Sequence, residues 1–101
     1  MKSETNDLSK AVTLYIGFGL ESWPMRDRKR IFQEFGDVHG AELKLQVDAL
    51  LRETGGIAID WSAHSLASAG DMIEKVMHLR HPELSDDAIR ALGWDYTFSM
   101  R

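Results

Sequence analysis

The chain has 101 residues, of which 44% are hydrophobic and 28% charged, values ordinary for a globular fold of one domain. It carries 16 acidic and 12 basic residues, a net charge of −4, and the negative balance disfavours general nucleic-acid binding, which needs a positive field. It contains no cysteine, which excludes disulfides, thiolate zinc sites and thiol nucleophiles.

The N-terminus, "MKSETNDLSK", is polar over residues 1–7 and reads as a loose tail. The apolar run behind it is short, and no small-residue cleavage site follows, so it does not resemble a signal peptide. No stretch approaches the ~20 apolar residues of a membrane span. With the absent cysteines, these features make the expected compartment the cytoplasm. Residues 8–101 are expected to form the single folded unit.

"VTLYIGF", residues 12–18, supports two patterns. Val12, Leu14, Ile16 and Phe18 alternate as in a strand, while Leu8, Ala11, Val12 and Tyr15 suit a helix. The next segment predicts a helix from Pro24 to Phe35. Proline favours the first helical position and Gly36 suits the residue beyond the end. Met25, Ile31, Phe32 and Phe35 would form its apolar stripe, and Trp23 would pack at its start.

A longer helix is predicted over residues 38–53, capped by Asp37, with Leu43, Val47, Leu50 and Leu51 inward. Lys44, Asp48 and Arg52 make a surface ladder worth only ~0.2–0.5 kcal/mol per pair. "TGG", residues 54–56, ends it. A further helix runs from Leu66 to Arg80, with Leu66, Ala69, Ile73, Val76 and Met77 inward and Pro82 forcing its end. The last begins after Ser85. Asp86 and Asp87 occupy its first turn, where the helix dipole favours acids, and Leu84 and Ile89 hold the two positions of a hydrophobic staple.

"WDYTFSM", residues 94–100, again fits both a strand and a helical stripe through Ile89, Leu92, Tyr96 and Met100. The fold expected is therefore mainly α, four to five helices with at most a short β element. Its alternative is an α+β fold with a small three-stranded sheet from residues 12–18, 57–61 and 94–100.

Four groups of residues bear on chemistry. "GGIAIDWSAHS", residues 55–65, brings Asp60, Ser62, His64 and Ser65 close in sequence. In an extended segment Ile57, Ile59 and Trp61 would face inward, with Asp60, Ser62 and His64 outward. Side chains two apart on a strand lie ~6.6 Å apart, too far for a nucleophile–base hydrogen bond, so alternation and a serine cap explain the segment without catalysis. No nucleophile elbow or phosphate-binding glycine loop is present.

Glu74, His78 and His81 have spacings that could share a metal, with His64 the nearest spare imidazole, but no motif completes the set, and no cofactor is expected. Imidazoles at a helix C-terminus are equally explained by the dipole. "RDRKR", residues 26–30, puts Arg26, Lys29 and Arg30 on one helical face, where phosphate or a nucleic-acid backbone could dock. That run is +3, leaving −7 for the rest of the chain.

Finally, "HPELSDD", residues 81–87, concentrates Glu83, Asp86 and Asp87 beside a connection. No residue set meets the requirements of a catalytic site. The chain therefore reads as a small acidic, non-catalytic module that binds a protein partner through these acids. Size and charge match the class that includes toxin-neutralising immunity proteins and regulatory adaptors. The competing readings are a small enzyme or metal-binding protein using Asp60 and His64 or Glu74, His78 and His81, and a phosphate or nucleic-acid binder using residues 26–30.

Overall fold

Both ambiguous ends are helical. The computed structural model describes residues 4–100, and its elements are α1 (Glu4–Ile16), α2 (Arg28–Phe35), α3 (Asp37–Gly55), α4 (Leu66–Arg80) and α5 (Asp86–Ser99). No strand forms among the described residues, so the three-stranded alternative is overturned. In α1 the helical stripe wins because Ala11, Val12 and Ile16 are all fully buried, with Leu8 and Tyr15 packed beside them. In α5 Ile89, Leu92 and Tyr96 are buried as that stripe requires, while Met100, its last member, caps the helix and is 46% exposed. Of the expected tail, residues 1–3 lie outside the described residues. Residues 4–7 are the first turn of α1, so the folded unit begins before residue 8.

All five helices contribute to one core, whose fully buried side chains include Val12, Ile16, Ile31, Leu43, Val47, Ile73, Met77 and Leu92. Ser85 caps α5 by accepting from the amide of Ala88, and its own amide donates to the buried hydroxyl of Ser9 at 2.9 Å. At the other end Phe18 meets Trp94 edge to face at 5.7 Å. These two contacts set α1 and α5 side by side and parallel. Between α4 and α5 the packing is close. A Cβ on Gly70 would stand 2.6 Å from the Thr97 methyl, and one on Gly93 would stand 2.7 Å from Glu74 Cγ.

The helix expected from Pro24 starts four residues later. The amides of Met25 and Asp27 donate to the carbonyls of Ile16 and Tyr15, both at 2.9 Å, which draws residues 25–27 along the end of α1 in a non-helical path. Asp27, in an extended conformation, then caps α2 through the amide of Lys29. Asp37 is likewise not a cap. Gly36, at a φ of 82°, turns the corner between α2 and α3, and Asp37 becomes the first helical residue.

The connection of residues 56–65 has to travel. Glu53, near the end of α3, bonds to Arg80 and His81, whereas α4 begins at the far end, near Thr97. Fifteen helical residues span about 22 Å, within reach of ten extended ones. Ile57 and Ile59 pack against the core as the alternation predicts. Trp61 does not: it is 47% exposed, because the chain turns at Asp60, whose carbonyl accepts from the amide of Ala63. Trp23 is also turned out, at 54% exposure, since no helix starts beside it.

Among the described residues one charge lies inside. Asp95, with a side chain only 6% exposed, takes two hydrogen bonds from Arg26, Nε to Oδ1 at 3.2 Å and Nη2 to Oδ2 at 2.7 Å. The Arg26 side chain stays half in water, so losing either partner should have unequal costs. Arg26→Ala strands a buried carboxylate and is expected to cost about 2 kcal/mol, less than the 3–5 kcal/mol of a fully buried pair. Asp95→Asn leaves an arginine that water can solvate and should cost about 1 kcal/mol. Urea unfolding of both variants tests this. Equal losses would show that Asp95 is not the group held captive.

Candidate functional site

The acidic turn after α4 keeps its acids near water. Asp86 and Asp87 are exposed in the first turn of α5, Asp87 lying 3.3 Å from Arg90 Nη1. Glu83 is exposed, 3.5 Å from His81 Nδ1. Asp86 also reaches the rim of an open cleft of about 390 Å³ between α4 and α5, lined with Asp71, Glu74, Lys75, His78, Ile89 and Arg90. Glu74 lies across Gly93, which has no side chain to exclude it. Burial raises the Glu74 pKa, Asp71 adds to the rise, and Arg90 opposes it. The cleft thus holds a carboxyl that is reluctant to ionise.

His78 and His81 separate. His78 faces this cleft, whereas His81 has left the helix, with φ −132° and ψ 66°, and points the other way. There its Nε2 lies 2.8 Å from Glu53 Oε1, and Arg80 donates to Glu53 Oε2 at 3.0 Å. Burial pushes the Glu53 pKa up, but the bonds from His81 and Arg80 outweigh it and hold it below its usual value. Three-residue spacing aligns side chains only while the helix continues, and Pro82 stops it one residue too soon. Among the described residues no three His, Asp or Glu side chains converge as metal ligands, so Glu74, His78 and His81 do not form the set considered from sequence.

The Asp60 and His64 pair is also divided. Asp60 Oδ1 accepts from the Ser62 hydroxyl at 2.6 Å and the Ser62 amide at 3.1 Å, bonds that lower its pKa in that order. His64 Nδ1 lies 3.1 Å from Ser68 Oγ, and Ser65 caps α4 through the amide of Ser68. The segment is an Asx turn followed by a helix cap.

The basic run is not one face. Arg26 precedes α2 and is committed to Asp95. Arg30 donates to the carbonyls of Leu14 and Met25 and to Glu21 Oε2 at 2.6 Å. Of the three bases considered as a phosphate site, only Lys29 is unengaged; Arg28 beside it is exposed too, and among the described residues neither forms an ion pair.

The connection of residues 17–27 has a feature not anticipated from sequence. Phe18 is fixed on Trp94 and Arg26 on Asp95, so both ends of the connection rest on neighbouring residues of α5. Between them Leu20 is 62% exposed, Trp23 54% and Met25 46%. One signal was available: an acid at position 95, between the apolar Leu92 and Tyr96 of one helical stripe, implies a buried cation partner.

Two stability measurements check these assignments. His81→Ala should cost about 1 kcal/mol by releasing Glu53, and His78→Ala should stay within about 0.5 kcal/mol. A shared metal would instead make both matter and would appear in metal analysis. Because the folded-state pKa of Glu74 is raised, its contribution is most favourable below the unfolded value and is lost as pH rises through the folded one. Glu74→Gln should therefore raise Tm at pH 7, and the gain should vanish below about pH 4. A gain independent of pH would contradict the assignment. Comparison of the chain with family models, curated proteins and solved structures finds no match, so its function has to be argued from this geometry.

Proposed function

We propose that this chain is a non-catalytic module that binds another protein, of the size and charge of a neutralising or regulatory adaptor. The observation that carries the reading is the connection of residues 17–27, which shows Leu20, Trp23 and Met25 to solvent from a base tied down at both ends. Isolated exposed apolar residues are ordinary, but three within six positions of a single loop, one of them tryptophan, form the kind of anchor that dominates protein interfaces. The tether matters as much as the side chains. A loop already fixed in place loses less entropy on binding than a free one.

The acids of the turn, Glu83, Asp86 and Asp87, supply the second element. They are exposed on the helix start rather than sequestered in ion pairs of the core. Charges at such a rim act on encounter rate more than on lifetime. A chain without cysteine suits the reducing cytoplasm, the compartment proposed. Among the described residues no helix is long and apolar enough to cross a membrane.

A partner recovered by native co-purification allows the decisive comparison. Trp23→Ala, with its circular dichroism unchanged, should weaken the complex at least tenfold, mainly through faster dissociation. Charge reversal at Glu83 and Asp87 should instead slow association at low salt. Unchanged affinity in Trp23→Ala removes the loop from the interface. Turnover of a small molecule at an ordinary enzymatic rate removes the module reading altogether.

A further inference from the structure

Resting on the reading of the chain as a protein-binding module, we infer that the loop of residues 17–27 takes a segment of its partner in which carboxylates stand beside apolar side chains. The whole chain is negative, which by itself would favour a basic partner. The loop is different. Its acids are engaged within the fold: Glu21 holds Arg30 at 2.6 Å, and Asp27 caps α2 through the amide of Lys29. Arg26 is matched by the buried Asp95. Arg28 and Lys29 remain, exposed and without an ion pair among the described residues, directly after the apolar Leu20, Trp23 and Met25. The surplus that faces water here is positive.

Distance decides which sign a docked segment meets. The loop rests on Trp94 and Asp95, whereas the acidic turn feeds the start of α5 at Asp86 and Asp87. Eight helical residues separate them by about 12 Å. Phe18, at the start of the loop, lines one cleft with Asp87, whereas Trp23 and Met25 lie toward the Asp95 end, where the exposed Arg28 and Lys29 follow in sequence. A screening length of about 8 Å at physiological salt attenuates the turn's acids at that end. A partner carboxylate can pair with the planar guanidinium of Arg28 through two parallel bonds, and its apolar neighbours can cover Trp23 and Met25. A lysine-rich segment would set like charges against each other at the same place.

The test uses the isotope-labelled full chain and two short synthetic peptides. One carries Asp and Glu beside Leu and Phe, and its twin has Lys at every acidic position. At about 0.15 M salt the acidic peptide should shift the Trp23 indole signal and the amides of residues 20–29, and the lysine twin should not. Trp23→Ala and, separately, the Arg28→Glu/Lys29→Glu pair should each weaken the acidic peptide about tenfold, both variants retaining the dispersed spectrum of the fold. Several results overturn the inference: equal or tighter binding of the lysine twin at these signals, no shift with either peptide, or shifts confined to residues 81–87. So would perturbation of the loop by phosphatidylserine vesicles but not by peptide, or by raising the concentration of the chain alone. A native partner that needs Trp23 but presents a basic segment would sink this inference and leave the module reading standing. A partner indifferent to Trp23 would remove the loop from the interface and this inference with it, whereas turnover of a small molecule at an ordinary enzymatic rate would sink the module reading itself.

Discussion

A carboxylate inside an apolar stripe cannot be left alone. Asp95 sits among the buried residues of α5, and an unpaired charge there would cost about 2 kcal/mol. The cation that answers it comes from far away in sequence, on the connection between α1 and α2. For Arg26 to reach Asp95 the chain must fold back along the end of α1, and the bonds from Met25 and Asp27 to Ile16 and Tyr15 are the backbone side of that return. The late start of α2, its cap at Asp27 and the outward turn of Trp23 follow from it. Gly17 opens the same turn: its φ of 86° suits glycine, and a Cβ there would stand 2.8 Å from Arg30 Nη1.

How much of this is legible in the sequence depends on the range of the interaction that decides it. The bounds of α4, the start of α5 and the end of α3 are readable because Ser65, Ser85, Pro82 and the Gly55–Gly56 pair act on the backbone within a few residues. The inward face of α3 is readable for the same reason, as are Ala69, Ile73 and Met77 of α4, whereas Leu66 and Val76 stay only partly buried outside the core cluster. The start of α2 is not, since Pro24 is locally well suited to a helix and loses only to bonds with residues at the end of α1. Trp61 fails at an intermediate range. The alternation that buries Ile57 and Ile59 is correct until the Asx turn at Asp60 redirects it.

The candidate site divides along the same line. Capping patterns already mark Asp86 and Asp87 as exposed acids, and the fold keeps them so. The basic run could not be apportioned from sequence, because Arg26 and Arg30 are claimed by Asp95 and Glu21, neither of which has a local periodic relation to them. His78 and His81 have the right spacing and the wrong backbone. A single proline turns one of the imidazoles toward Glu53 and leaves the other at the α4–α5 cleft.

Internal pairing also reshapes the charge that a partner would meet. The formal balance of −4 counts every acid and base equally, but a pair closed within the fold contributes little field at the surface. Around the loop of residues 17–27 the closed pairs consume Glu21, Asp95, Arg26 and Arg30 and leave Arg28 and Lys29 facing water. At the start of α5 the reverse holds: Asp86 and Asp87 stay exposed, with Arg90 3.3 Å from Asp87 and Lys10 lining the same cleft as Asp87. The chain therefore presents two ends of opposite local sign along one helix, although its composition suggests a uniformly acidic molecule. The pair that conceals Asp95 is also one of the ties on the connection that carries Trp23, beside the Phe18–Trp94 contact and the backbone bonds of Met25 and Asp27, so one ion pair serves both the burial of α5 and the path of the exposed loop.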